Sequence, residues 1–125
     1  MSDDGIVRHF FSGFIRLHIL YHAAKEPICG AEITEELIHH GYRLSQGTLY
    51  PTLHLLEKLG YLKNESRVVN GRRRKYYSAT AAGKRVLNQA RGKMQELVAE
   101  VLEDDDRDFQ TARRKQRDAR TEPKQ

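Results

Sequence analysis

Apolar residues recur at helical spacing three times before residue 60, then at alternate positions, then again at helical spacing. In residues 6–24, IVRHFFSGFIRLHILYHAA, Phe10, Phe14, Leu17 and Tyr21 form one stripe, with Phe11, Ile15, His18 and His22 beside it. Arg8, Ser12 and Arg16 share the opposite side. That apolar arc is wider than one core contact needs, so the helix is expected to be covered twice, by its own domain and by something else. KEPICG ends it, because Pro27 cannot continue a helix and Gly30 frees the backbone. Residues 31–40 predict a shorter helix with Ile33, Leu37 and Ile38 inward, Glu32, Glu35 and Glu36 outward, and Gly41 as its terminator. A third helix, about 46–59, opens at Ser45 or Thr48, buries Leu49, Leu53, Leu56 and Leu59, and ends at Gly60. Two helices joined by a short glycine-containing link are the grammar of a helix-turn-helix.

After Gly60 the period changes to two. YLKNESRVV, Asn70-Gly71 and RRRKYYSA predict a β-hairpin over 61–79, because Asn-Gly supplies the left-handed backbone of a two-residue turn. Pairing Val69 with Arg72 puts Leu62, Tyr77 and Ala79 on one face at the base and crowds arginines at the tip. From Thr80, a plausible N-cap, a helix runs to about 102 with Leu87, Ala90, Met94, Leu97 and Val101 at 3-4-3-4 spacing, widened by Val86, Val98 and Leu102. The seam spans about two heptads, too short for an independent coiled coil, and the over-apolar first helix is its natural partner. The fold expected is mainly α with a small β-hairpin (α+β). A winged helix-turn-helix spans 1–79, a C-terminal dimerisation helix 80–102, and a charged tail, disordered or frayed, 103–125.

Pro51 and Tyr50 are the residues this pattern does not explain by itself. An interior proline costs a helix roughly 3 kcal/mol. With Thr48 as N-cap, Pro51 sits in the first turn, where backbone N–H groups lack intrahelical partners anyway. With the helix starting at Ser45, the residue four back is Gly47, the least crowded choice. With the leucines inward, Gly47, Tyr50, His54 and Lys58 point outward, a set suited to reading a major groove. Taken alone, Tyr50 reads first as an aromatic packing on the wing or on the first helix, and the basic hairpin that follows is what turns the reading towards DNA.

Charge sharpens that picture. The net charge of the 125 residues is +5, and the acids and bases from Glu103 onward cancel. Arg67, Arg72, Arg73, Arg74 and Lys75 fall in one nine-residue stretch without an acid, an electrostatic footprint for a polyanion. Charged residues are 31% and hydrophobic residues 38% of the chain, proportions of a small wet domain. No apolar run approaches the ~20 residues that cross a bilayer, and MSDDGIVRHFF is acidic before it is apolar, unlike a secretory signal. One cysteine, Cys29, excludes an internal disulfide and fits a reducing cytoplasm, the localisation expected.

GTLYPTLHLLEKLGYL followed by GRRRKYYSATAAGKRVL resembles the PadR-type transcriptional regulators. The matching positions are Gly47, Leu49, Tyr50, Pro51, Leu53, Leu56, Glu57 and Gly60, then Arg73, Arg74, Lys75, Tyr76, Tyr77, Thr80 and Gly83. The resemblance runs from about Phe10 to Leu102. It implies a winged-helix homodimer on double-stranded operator DNA, usually a repressor, with first and last helices forming the dimer interface. Some members hold planar ligands between tryptophans. This chain has no Trp, leaving Phe10, Phe11 and Phe14 to line any comparable seat.

The DNA-contacting residues expected are Ser45, Gln46, Gly47, Thr48, Tyr50, Pro51, His54, Arg72, Arg73, Arg74, Lys75 and Tyr76. The dimer interface expected is Phe10, Phe11, Phe14, Leu87, Ala90, Met94, Leu97, Val98 and Val101. Two third helices would enter successive major grooves, released by a small-molecule or stress signal. No membrane partner, cofactor or metal is assigned. His18 and His22 are four apart, a metal-ligand spacing, with His39, His40 and Cys29 as potential neighbours; lacking an H-E-x-x-H or C-x-x-C, they read as core or interface histidines. The alternatives are a metal- or haem-responsive sensor using His18 and His22, and a winged helix used only for protein contacts. No phosphate loop, activated nucleophile or placed carboxylate pair supports an enzyme.

Overall fold

Three glycines punctuate this chain at positive φ, and each closes the element before it. The computed structural model describes residues 3–104, in the order α1 (Asp3–Lys25), β1 (Ile28–Cys29), α2 (Gly30–His39), α3 (Gln46–Lys58), β2 (Leu62–Val69), β3 (Arg72–Ala79) and α4 (Ala81–Val98). Residues 99–104 continue as a wider π-type turn. Gly41 (φ +86°) ends α2, with its N–H donating to the Ile38 carbonyl and that of Tyr42 to Leu37. Gly60 (φ +83°) ends α3 in the same way, through Glu57 and Leu56. Both are Schellman turns, a geometry that a Cβ disfavours. Gly71, at φ +78° behind Asn70 at +52°, makes the two-residue hairpin turn expected between β2 and β3.

The hairpin register is the one read from the sequence: Val69 opposes Arg72, and Leu62 opposes Ala79. A third strand was not foreseen. Ile28 and Cys29 pair antiparallel with Tyr77 and Tyr76, so β3 is central in the order β1-β3-β2. KEPICG therefore ends a helix and also supplies a sheet edge.

Under the hairpin base lies one core of Ile19, Leu20, Ala23, Ile33, Leu37, Leu49, Leu53, Leu56, Leu62, Tyr77 and Leu87. Each fully covered side chain contributes about 1.5–3 kcal/mol of transfer free energy. Several inward assignments are corrected. On α1 the covered positions are Ile19, Leu20 and Ala23, whereas Tyr21 of the expected stripe is exposed; Phe10 and Phe11 are exposed too, as a helix awaiting a second cover would leave them. Ile38 is exposed because it lies beyond the arc that Ile33 and Leu37 turn inward. Leu59 is exposed because it caps α3, where the chain swings out through Gly60.

The cap of α3 is Ser45, the earlier alternative, which leaves Pro51 inside the helix. The Ser45 carbonyl accepts from both Thr48 and Leu49 N–H, and Thr52 Oγ1 donates back to the Thr48 carbonyl at 2.9 Å. The proline withdraws the donor that the Gly47 carbonyl would use, and Gly47 is exposed, so water can reach that oxygen.

By compactness the chain divides after Asn88 into two units. In the first, Leu87 is already buried in the core just described, a correction to its place in an intermolecular seam. In the second, Met94, Leu97, Val98 and Val101 are exposed. The expected tail, 103–125, lies outside the described residues except for its first two positions.

Candidate nucleic-acid interface

β3 alternates, so its four consecutive bases cannot all face one way. Arg73 and Lys75 share the face of buried Tyr77, while Arg72 and Arg74 share that of Tyr76. The first face opens onto a groove of about 400 Å³ lined by Cys29, Gly30, Ala31, Tyr50, His54, Arg73, Arg74, Lys75 and Tyr77. Its walls are the start of α2, the exposed side of α3 and the wing. Backbone N–H groups at a helix start and a row of cations are complementary to a phosphate diester.

Tyr50 projects from α3 as expected, but its ring also rests on α2. A Cβ built at Gly30 would lie 3.2 Å from the Tyr50 hydroxyl. The packing partner is therefore neither the wing nor the first helix: the hydroxyl end of Tyr50 rests on Gly30 at the start of α2, while the residue still lines the groove. Gly30, Ala31 and Cys29 were missed as groove residues. Their signal was present in Gly30, which the sequence reading assigned only to breaking α1.

Ser45, Gln46, Gly47, Thr48, Pro51 and Arg72 are exposed but do not line the groove. Tyr76 is half-buried on the other face of β3, beneath the Arg67 guanidinium at 4.9 Å from its ring centroid. Arg67 itself is held by Glu65, through an Nε–Oε1 hydrogen bond of 2.9 Å and a closer contact from its other nitrogen. Arg67 directly opposes Arg74 across the hairpin, and the Glu65 carboxylate relieves that like-charge pair. The cationic patch is thus effectively Arg72 to Lys75.

The floor of the groove is Tyr77. Burial first, then the Glu57 carboxylate and Tyr50, raise its pKa above the usual phenol value. Its hydroxyl is buried with no hydrogen-bond partner. At the wing's base, Glu57 accepts a close hydrogen bond from Asn64 Nδ2, tying α3 to β2.

Elsewhere in the first unit, Phe14 packs against Phe10, His18 and Tyr42, with ring centroids 5.7, 4.7 and 5.7 Å apart. Phe10 and Phe11 are exposed on the same helix. His18 lies among other imidazoles: burial first, then His40 and His22, lower its pKa below the usual histidine range. His39 is exposed and lies outside this group.

The sequence model of the transcriptional regulator PadR-like family matches residues 19–89. The chain is 53% identical over 96 residues to the Mycobacterium tuberculosis protein named transcriptional regulator Rv3488, covering 77% of this chain and 90% of that one. A PadR-like transcription factor from Bacteroides fragilis superposes with a TM-score of 0.68 at 28% identity, over 78% of this chain and 96% of its own. A PadR family transcriptional regulator from Eggerthella lenta gives 0.61 at 30% identity, over 81% and 93%. None of the described helices is long and apolar enough to cross a membrane.

Proposed function

The chain belongs to the PadR-like family of transcriptional regulators, and from that premise we propose that it acts in the cytoplasm as a homodimeric repressor on a pseudo-palindromic operator. The DNA-binding part is the winged helix of residues 1–79, and residues 80–102 serve dimerisation. A small molecule or stress signal releases the complex.

One observation carries this reading: Tyr50, His54, Arg73 and Lys75 converge with the start of α2 on a single groove, which Arg74 borders from the other face of β3. Cations on the wing neutralise phosphates and supply affinity, while exposed Gln46, Thr48 and His54 on α3 reach base edges and supply preference. Arg72, at the hairpin tip, extends the phosphate contacts beyond the groove. In support of the dimer, Phe10 and Phe11 on α1 and Met94, Leu97, Val98 and Val101 further on leave apolar side chains exposed. Ala90 and half-buried Phe14 complete those two faces. A concavity of about 480 Å³ lined by Phe11, His40, Gly41, Tyr42, Arg43 and Leu44 supports a small effector with an aromatic or apolar part.

Nuclease footprinting on the DNA upstream of the chain's own coding region tests the proposal. Two protected patches centred about one helical turn apart (~34 Å) are expected. A single patch, or none in dilute buffer, would refute the paired-groove arrangement.

A further inference from the structure

The turn that ends α2 also brings a third histidine to the α1 pair. His40 is the C-cap of α2, and the left-handed Gly41 behind it fixes the exit of the chain. As a result the His40 ring lies 4.5 Å from His18, centroid to centroid, and His22 stacks nearly parallel to His18 one turn further along α1. One ligand nitrogen from each of His18, His22 and His40 falls within 4.8 Å of the others. A carboxylate is also at hand, with Glu36 Oε2 3.7 Å from His22 Nε2. That nitrogen is buried and makes no hydrogen bond.

We propose that His18, His22, His40 and Glu36 bind one divalent transition-metal ion of the zinc, cobalt or nickel kind. Neutral imidazoles suit these ions, whereas calcium and magnesium require a shell built of oxygens. Three nitrogens and one carboxylate make a four-donor set of the sort that zinc accepts in tetrahedral geometry. At metal–nitrogen distances of ~2.0–2.1 Å, donors around one ion lie roughly 3.3 Å apart, so modest side-chain rotations bring the three imidazoles together, and Glu36 completes the set by turning in from its place beside His22. The approach is prepared as well. A groove of about 630 Å³ reaches His22 past Glu26, Glu32, Glu35 and Glu36, with Lys25 the one base on its wall. Four carboxylates there raise the local concentration of a cation. Phe14 and Tyr42 cover the other side of His18, limiting water around the ligands. Since α1 supplies two ligands and α2 the others, an ion would clamp these helices together.

This inference does not require that the chain bind DNA, and its test does not use DNA. The untagged full chain, stripped with a chelator, is titrated with Co²⁺ by calorimetry and visible absorption. One equivalent per protomer is expected, displaced by Zn²⁺, with a higher melting temperature for the loaded protein. H22Q and E36Q should each weaken binding by at least ~10-fold, the scale on which lost metal-site partners act, while H9Q, outside the cluster, should bind as the parent does. H40Q changes an exposed residue and serves if H22Q does not fold. Absence of saturable uptake, or equal uptake by the H18Q/H22Q/H40Q triple variant, would overturn the assignment.

Discussion

Gly83 faces the Tyr61 carbonyl so closely that a Cβ built there would lie 2.2 Å from the oxygen. The contact belongs to a small joint at the start of α4. Thr80 N–H donates to the same Tyr61 carbonyl at 3.0 Å, Thr80 Oγ1 donates to the Gly60 carbonyl at 2.5 Å, and Gly83 N–H donates to Thr80 Oγ1 at 3.0 Å. The end of α3, the start of β2 and the start of α4 are thereby fixed to one another, which sets the wing relative to α3.

Gly83→Ala drives a methyl group into backbone that cannot rotate away. A loss of about 1–3 kcal/mol is expected, the usual scale for overpacking, against about 1 kcal/mol for Thr80→Ala, which removes the cap and the solvent-accessible hydrogen bond to Gly60. Thermal melts of the two variants check the order. An unchanged melting temperature for Gly83→Ala would contradict the joint.

Tyr77→Phe should leave stability unchanged or raise it. Its hydroxyl is buried without a partner, and such a group carries an unreturned desolvation cost of about 1–3 kcal/mol. A melting temperature clearly below the parent's would mean that the hydroxyl has a partner in solution.

Acidification should destabilise the metal-free protein through His18. Its folded pKa is lowered, chiefly by burial, so the unfolded chain takes up the proton first as pH falls below about 6.5. The His18 contribution is present above that pH and is lost progressively below it, towards the folded value. Melting temperatures of parent and His18→Gln between pH 5 and 8 read this out, with the variant expected to show the shallower slope. Identical slopes would contradict the assignment.

Affinity and discrimination should separate by residue. Arg73→Ala is expected to weaken cognate and random DNA alike, whereas His54→Ala, on the exposed face of α3, should mainly change the preference between them. Anisotropy titrations on both DNAs check this. Equal losses from the two variants on both DNAs would contradict the division.

Much of this was legible in the chain because local chemistry and tertiary structure agree. Leu49, Leu53 and Leu56 specify the buried side of α3, and Asn70-Gly71 fixes a turn that leaves one register for Leu62 and Ala79. The missed parts share one cause, the dependence on neighbours distant in sequence. A two-residue strand at Ile28–Cys29 has no periodicity, and it forms only because β3 offers an edge. Tyr21, Ile38 and Leu59 are apolar at plausible spacing, but the first two fall just outside the arc their helices turn inward and Leu59 lies at the cap, past the end of α3. Gly30 and His40 depend on which helix ends meet. The spacing of His18 and His22 was visible, but the third imidazole arrives only through the turn at Gly41.

The salt dependence of DNA binding tests the central claim most directly. With ~4 phosphates neutralised per protomer, the log–log slope of the association constant against salt should be near −7 at ~0.9 per phosphate, and Arg73→Ala in both protomers should flatten it by about 2. A slope near zero, or one that Arg73→Ala leaves untouched, would contradict the account.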